Sequence, residues 1–318
     1  MTCRSEGVVF STDRESRRPR VGVVGCGGWG RFIVRDLVTL GCRVSVVARS
    51  EASKERARAH GGTEIVPSID ELPDLDGAVV ATPTSLHAEH IWALIPRDIP
   101  IFVEKPLCTD GQAARALAER APTRIFVMDK WRYHPGVLLL AGIARAGSLG
   151  TLVGLKSARL GWGNPHDDVD EIWHLAPHDL SIALEILGEL PAPVYARAEV
   201  QDDVPRGLWG TLGSDPWMLL EVSGQHVFHR RRIEIVCSDG SALLDGAYSE
   251  QVFIRRKGRS KEEEPEVVPF GQEMPLLTEL RAFVEHIEGG PPPKSSVAEG
   301  AAVVDTIARL RGLAGLFA

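Results

Sequence analysis

The chain has 318 residues, of which 44% are hydrophobic and 25% are charged. These values are close to those of globular proteins and exclude a disordered chain, while the length predicts two domains rather than one small module. The formal net charge is −7, and no apolar run approaches the roughly 20 residues of a membrane span. We therefore expect neither nucleic acid nor a membrane as a partner.

The cysteines and the N-terminus predict a protein of the cytoplasm. The five cysteines are widely spaced and include no C-x-x-C pair. This pattern favours a reducing compartment over a disulfide framework or a zinc ribbon. Residues 1–19 are polar and arginine-rich, without the apolar core of a secretory signal, so we expect a mobile tail there.

Residues 20–128 predict a Rossmann domain, which is a doubly wound parallel sheet of the α/β class. Short β-branched runs alternate with helical patterns, as they do when crossover helices join parallel strands. Several of the runs are apolar throughout, as expected for strands covered by helices on both faces. The predicted strands are residues 21–24, 44–48, 65–66, 78–81, 101–103 and 125–127.

Residues 129–318 predict a second, α+β domain. Longer alternating segments and a Ser-Asp-Gly turn at residues 238–240 favour an open, mainly antiparallel sheet. Two helices are predicted to close the chain. The predicted strands are residues 153–160, 194–200, 217–222, 232–237 and 251–256.

A glycine-rich turn follows the first predicted strand and opens the first helix. Its sequence fits G-x-G-x-x-G, in which the glycines allow a tight turn, a close approach of the backbone to a pyrophosphate, and packing of the helix on the strand. The helix N-terminus attracts the anion. We therefore predict that a dinucleotide binds at Gly25, Cys26, Gly27, Gly28, Trp29 and Gly30.

The end of the second strand indicates which dinucleotide binds. An acidic residue there would bind the ribose 2′-hydroxyl of NAD, but this chain has Arg49 followed by Ser50. A guanidinium suits a 2′-phosphate, so the sequence favours NADP(H), while NAD(H) is still an option. The alternative is that Arg49 is a solvated side chain and that Glu51 turns inward.

Further motifs follow in order along the chain. Residues 81–87 read Ala-Thr-Pro-Thr-Ser-Leu-His, residues 104–106 read Glu-Lys-Pro, and residues 132–135 read Arg-Tyr-His-Pro. Together with the glycine turn, this series resembles the glucose-fructose oxidoreductase, inositol dehydrogenase and MocA family (Gfo/Idh/MocA) over nearly the whole chain from residue 20.

The resemblance implies a nicotinamide cofactor in the first domain and a substrate held against it by the open sheet of the second. It implies that Lys105 stabilises or protonates the reacting oxygen. A second subunit would cover the open sheet, which implies a homodimer or homotetramer. For His87, a structural role at a helix start is an open alternative. The other residues implied at the cofactor are Thr82, Pro83, His87, Glu104 and Lys105.

A histidine-rich segment covers residues 166–179. His174 and His178 are four residues apart, a spacing that suits zinc on a helix. Pro177, however, predicts that a helix begins there, so that His174 lies outside it and shares no face with His178. We therefore expect no metal site.

His178 is the predicted acid/base residue. In the first turn of a helix, the positive end of the helix dipole disfavours a protonated imidazole. The position also matches the histidine of the family's D-x-x-x-H motif, which implies this role, with Lys105 in support; a buried structural histidine is the alternative. The aspartate of that motif is His174 here. The candidate substrate-binding residues are Lys130, Arg132, Tyr133, Trp162, His174 and His178.

These features predict an NAD(P)-dependent oxidoreductase, with NADPH preferred, that interconverts a secondary alcohol and a ketone on a sugar, a nucleotide-activated sugar or a cyclitol. One alternative is an imine or carrier-bound ketone reductase on the same scaffold. Another, of a different class, is a catalytically silent sensor that binds the dinucleotide, because a fold and a cofactor site do not by themselves imply turnover.

Overall fold

A computed structural model describes residues 18–260 and 262–316. The tail predicted at residues 1–19 falls almost entirely outside the described residues. None of the described helices is both long enough and apolar enough to cross a membrane.

The first part of the described chain forms a six-stranded parallel sheet, which confirms the predicted Rossmann topology. The strand order is β3-β2-β1-β4-β5-β6, and every neighbouring pair is parallel. The carboxyl ends of β1 and β4 therefore adjoin at the point where the order reverses, which is where such sheets bind ligands. The strands are β1 (Arg20–Val24), β2 (Arg43–Val47), β3 (Glu64–Val66), β4 (Gly77–Val80), β5 (Ile101–Glu104) and β6 (Ile125–Met128).

Five helices accompany this sheet and the chain that leaves it. In the first of them, Ile33, Val34 and Leu37 are fully buried, because their spacing puts them on the one face that packs against the strands. The helices are α1 (Gly30–Thr39), α2 (Glu51–Ala59), α3 (His87–Leu94), α4 (Gly111–Arg120) and α5 (Pro135–Ala146).

The second sheet has eight strands in the order β14-β13-β12-β11-β7-β10-β9-β8. Only the pair of β7 and β10 is parallel, so the predicted mainly antiparallel sheet is confirmed. The strands are β7 (Leu152–Trp162), β8 (Pro193–Gln201), β9 (Val204–Leu212), β10 (Trp217–Ser223), β11 (Gln225–Cys237), β12 (Gly240–Asp245), β13 (Gln251–Arg256) and β14 (Glu266–Pro269).

Three of these strands, β9, β12 and β14, were absent from the sequence-based prediction. Strand β9 contains Pro205 and two glycines, and β12 begins at a glycine, so their residue types do not indicate a strand. Strands β9 and β12 form because they pair with neighbours of stronger strand character, and the short β14 pairs with β13.

Three helices complete the fold: α6 (Glu171–Leu187), α7 (Pro275–Ile287) and α8 (Val297–Leu313). Helix α6 packs on the inner face of the second sheet. Helix α7 returns to the first sheet, where Phe283 stacks on Phe102 of β5 with ring centroids 4.9 Å apart. The end of the chain therefore supplies part of the layer that covers the first sheet, although the sequence pattern assigns residues 129–318 to the second domain.

Candidate active site

The turn between β1 and α1 has the geometry that the glycine motif requires. Gly25 has a φ of +97°, and a Cβ there would lie 2.7 Å from the carbonyl oxygen of Ala81. A Cβ on Gly30 would lie 2.6 Å from the carbonyl oxygen of Gly25, so this glycine permits the close contact of helix and strand. A Cβ on Gly27 or Gly28 would meet no atom within 4 Å. The outer side of the turn is thus open, and its residues fit a pyrophosphate.

The residues after β2 lie next to this turn. The Ser50 hydroxyl accepts a hydrogen bond from the Ser53 amide (3.2 Å) and so caps α2, while the Ser53 hydroxyl donates to the carbonyl oxygen of Cys26 (2.8 Å). Arg49 is exposed. The carboxylate of Glu51 pairs with Lys54 at 2.7 Å on the surface instead of turning inward. Arg49 is thus the charged group that this strand end leaves available.

The loop after β4 is braced by His87. The imidazole of His87 is buried, with Nδ1 2.8 Å from the carbonyl oxygen of Pro106 and Nε2 3.0 Å from that of Thr82. Both ring nitrogens are therefore occupied by backbone. The expected contact of the His87 side chain with a cofactor is corrected to an indirect one: the ring ties the Thr82-Pro83 loop to the Glu-Lys-Pro segment.

Trp29, Glu104 and Lys130 form a second group beside the turn. The indole Nε1 of Trp29 donates a hydrogen bond to Oε1 of Glu104. Lys130 Nζ lies 4.2 Å from the centroid of a Trp29 ring, a cation–π contact. Burial raises the pKa of Glu104, while the charges of Lys105 and Lys130 lower it. Trp29 of the glycine motif is thus connected to Glu104, the last residue of β5.

The predicted start of helix α6 was wrong. The helix begins at Glu171 rather than at Pro177, because the Asp170 carboxylate caps it by accepting hydrogen bonds from the Ile172 and Trp173 amides (3.0 and 3.2 Å). The helix then continues through Pro177. His174 and His178 consequently lie one turn apart on one helix face, and the argument that separated them fails.

Lys105 meets this face of α6. Its Nζ donates a hydrogen bond to the carbonyl oxygen of His174 (3.1 Å) and lies 3.4 Å from Nδ1 of the same residue. The ring of His166 lies against that of His174, with centroids 4.5 Å apart. Lys105, which directly follows β5, is 69 positions from His174, and α6 carries His178 one turn further on. We refer to these three residues as the Lys-His cluster.

Burial dominates the electrostatics of the Lys-His cluster. Burial lowers the pKa of Lys105 to about 8, although the neighbouring Glu104 raises it. Burial and the Lys105 charge lower the pKa of His174 to about 2 and that of His178 well below its usual range. His178 is therefore neutral because of its surroundings and not because of a helix N-terminus. Among the described residues, its Nδ1 has no hydrogen-bond partner.

Two candidate substrate-binding residues are engaged elsewhere. The Arg132 guanidinium pairs with Glu185 (3.3 Å) and Glu299 (2.8 Å) between helices α6 and α8. The Tyr133 hydroxyl accepts a hydrogen bond from the Lys294 amide (2.8 Å), and its side chain is buried. The structure does not bring either residue to the Lys-His cluster, so we correct their expected role to a structural one.

Trp162 lies at the end of β7 and is 70% exposed. The segment after it borders an open cavity of about 420 Å³, whose lining residues include His166 beside the Lys-His cluster. Asp168 on the same segment accepts a hydrogen bond from the Ser85 amide (2.9 Å), which joins this segment to the first domain. The cavity is lined by Asn164, His166, Asp167, Asp168, Val169, Asp170, Glu171, Val204 and Arg206.

Sequence reasoning missed Arg159 and Arg231, two arginines from the second sheet that lower the pKa of His174. Arg159 lies in the predicted strand 153–160 and Arg231 just before the predicted strand 232–237, and neither position gave a signal, since arginines in and beside strands are commonly solvated. In residues 18–260 and 262–316, no group of three or more histidine, cysteine or carboxylate side chains is arranged to hold a metal ion.

Two features indicate the class of protein: the turn at residues 25–30, which fits a dinucleotide, and Lys105, which directly follows strand β5. A family model described as an oxidoreductase family with an NAD-binding Rossmann fold matches residues 19–127. The Rossmann domain of this chain therefore matches that of the Gfo/Idh/MocA family, and the chain is an NAD(P)-dependent dehydrogenase or reductase.

Relatives match most of the chain. A UDP-N-acetylglucosamine 3-dehydrogenase from Acidithiobacillus ferrooxidans is 28% identical over 71% of this chain and 74% of its own. A crystal form of that protein superposes with a TM-score of 0.80 at 25% identity, covering 94% of this chain and 99% of the other. An inositol 2-dehydrogenase from Mycolicibacterium vanbaalenii is 27% identical over 71% and 72% of the two chains.

Among solved structures, levoglucosan dehydrogenase in complex with NADH and levoglucosan is similar in fold alone. It has a TM-score of 0.84 at 18% identity, covering 94% of this chain and 98% of the other.

Proposed function

We propose that this protein interconverts a secondary alcohol and a ketone on a sugar, a nucleotide-activated sugar or a cyclitol, with NADP(H) as its preferred cofactor. The observation that carries the proposal is the contact of Lys105 Nζ with His174 on α6, one turn from His178 and beside an open dinucleotide turn. The relatives named above act on substrates of this chemistry, which supports the same class here.

The Lys-His cluster has the groups that such a reaction needs. A dinucleotide whose pyrophosphate is held by the glycine turn would supply or accept the hydride through its nicotinamide ring. A general acid/base works best with a pKa near the operating pH, and Lys105, at about 8, satisfies this condition better than His178. We therefore assign the proton step to Lys105: its neutral amine takes the hydroxyl proton during oxidation, and its ammonium returns the proton during reduction.

His178 then has the supporting role. Its neutral imidazole is half-buried on the face of α6 that Lys105 meets, so the ring can hydrogen-bond the reacting hydroxyl and orient it toward Lys105. This assignment exchanges the roles that the sequence motif implied for the two residues.

The preference for NADP(H) rests on Arg49. The side chain is exposed after β2 and lies close enough to His90, near the Thr82 loop, for its charge to lower the pKa of His90, although burial is the larger cause. Thr82 Oγ1 lies 3.0 Å from His90 Nδ1, so His90 connects the neighbourhood of Arg49 with the loop after β4, which supports a role for Arg49 at the cofactor.

The test is a turnover assay on purified protein. NADPH is combined with keto-sugars, and NADP with sugars, nucleotide sugars and cyclitols, while absorbance is followed. We expect Lys105→Ala to lower kcat by roughly 10²–10⁴-fold and His178→Ala to lower it by a smaller factor, with cofactor affinity retained. Lys257→Ala, on an exposed hairpin, is the matched control. Unaltered turnover in both active-site variants would refute the proposal.

We also propose a homodimer or homotetramer in which a second subunit covers the outer face of the second sheet. Tyr195, Trp209 and Leu219 are 56%, 42% and 42% exposed there, around a cavity of about 470 Å³. Light scattering coupled to size exclusion gives the mass; a monomer for the native chain would overturn this proposal, and Trp209→Glu should shift an oligomer toward monomer.

A further inference from the structure

One arginine on the inner face of the second sheet lacks a charged partner. Arg231 of β11 lies directly opposite Arg159 of β7, so the two side chains project from the same face of the sheet. That face packs against α6, because Arg159 pairs with Asp179 of that helix at 2.5 Å. Two like charges opposite each other destabilise a sheet unless something neutralises them.

Asp179 neutralises Arg159 and leaves Arg231 uncompensated. In the part of the chain that the structure describes, Arg231 forms no ion pair, whereas its neighbour Arg232 pairs with Glu234 at 3.3 Å. The Nη1 atom of Arg231 donates hydrogen bonds to the carbonyl oxygens of Leu160 (2.5 Å) and Arg230 (2.8 Å). Its Nε and Nη2 atoms have no acceptor among the described residues, so one edge of the guanidinium fork is available.

Arg231 lies near the α6 segment that carries the Lys-His cluster, because Asp179, the partner of the opposing Arg159, directly follows His178. The positive charge of Arg231 contributes to lowering the pKa of His174 and the pKa of Lys130. The positive charge of Arg159 contributes to lowering the pKa of Lys105 and the pKa of His178.

The two opposed arginines share one carboxylate. Asp179 pairs with Arg159, and among the described residues no carboxylate forms an ion pair with Arg231. The Arg159–Arg231 pair therefore carries one more positive charge than its ion pair neutralises.

We propose that Arg231 binds an anionic oxygen group of the substrate, either a carboxylate or a phosphate. A guanidinium edge with two adjacent N–H donors matches two oxygens of such a group, and the anion supplies the negative charge that the site lacks. The inference rests on the proposed function and narrows it: the protein acts on acidic or phosphorylated sugars in preference to neutral ones.

The test measures binding separately from turnover. The protein saturated with NADP is titrated calorimetrically with D-glucuronate, D-glucose 1-phosphate and D-glucose. We expect at least one anionic probe to bind tenfold or more tightly than glucose, and the tighter of the two anions identifies the recognised group. Equal binding of all three probes by the native protein would overturn the inference.

Two variants localise the effect. Arg231→Gln should remove the preference for the anionic probe, while Arg231→Lys keeps the charge but loses the fork and should restore only part of it. Arg230→Gln is the matched control, since Arg230 is adjacent in the chain, exposed and on the opposite face of the strand. Equal losses in Arg231→Gln and Arg230→Gln would contradict the inference.

NADP binding by Arg231→Gln, measured in the same instrument, shows whether the variant is folded. If the native protein binds NADP and the anionic probe but turns over no sugar in the assay above, the proposed reaction fails while the anion site stands. If sugars are turned over without any anionic preference, the anion site fails alone.

Discussion

The glycine turn and helix α6 differ in how their functional residues come together. At the turn, the residues from Gly25 to Gly30 are consecutive, and the local backbone alone creates the open face. At α6, the histidines acquire their chemistry from Lys105, which is 69 positions away from His174. A local motif can be predicted from the order of its residues. The Lys-His cluster cannot, because it depends on how the two domains pack together.

The largest effect is expected from a substitution that abolishes cofactor binding at the glycine turn and leaves the fold intact. Gly27→Val should lower affinity for NADPH on the order of 100-fold or more, because a side chain at the second glycine keeps the backbone from the pyrophosphate. Its melting temperature should stay near that of the native protein, since a Cβ there meets no atom within 4 Å. Fluorescence titration with NADPH and thermal unfolding measure the two quantities.

Gly25→Ala is the contrasting variant at the same turn. Its positive φ and the 2.7 Å approach to the Ala81 carbonyl oxygen predict a loss of about 1–3 kcal/mol in the free energy of unfolding. If Gly27→Val unfolded as easily as Gly25→Ala, the turn would not be an open cofactor surface.

A smaller effect is expected for the choice of cofactor. Arg49→Asp should weaken NADPH binding by roughly tenfold or more and leave NADH binding little changed or improved, because the substitution removes a charge-assisted bond to a 2′-phosphate. Arg43→Asp makes the same change of charge at the exposed start of β2 and serves as the control. Equal NADPH affinities for the two variants would remove the basis for the NADP(H) preference.

The smallest expected effect concerns the pH dependence of the reaction at the Lys-His cluster. With Lys105 at a pKa of about 8, kcat/KM for alcohol oxidation should rise with pH and level off above about 8, because the neutral amine accepts the proton. His174→Asp places a carboxylate beside the ammonium and favours its charged form, so the rise should move toward higher pH by about one unit.

His60→Asp, at the end of α2, controls for net charge and should leave this profile unchanged. A profile for His174→Asp that matched the native one, or that moved toward lower pH, would show that Lys105 is not the titrating group.

Residue types and spacing predicted the Rossmann topology with all six strands and the mainly antiparallel second sheet, and the series of motifs indicated the family by resemblance. They failed where neighbours decide the outcome. Helix α6 was predicted to begin at Pro177, but the Asp170 cap and packing on the second sheet outweigh the cost of an internal proline. His87 and Arg132 were predicted at the ligand. In the structure the His87 ring contacts two backbone carbonyl oxygens, and the Arg132 guanidinium pairs with two carboxylates.

The sequence by itself determined the dinucleotide turn, because glycine conformations and strand-turn-helix order are local properties of the chain. Only the tertiary structure decided the lowered pKa of Lys105, the shared face of His174 and His178, and the unpaired charge of Arg231. Each of these depends on burial and on charges contributed by distant segments, and the strength of an electrostatic interaction follows from distance and solvent access rather than from position in the sequence.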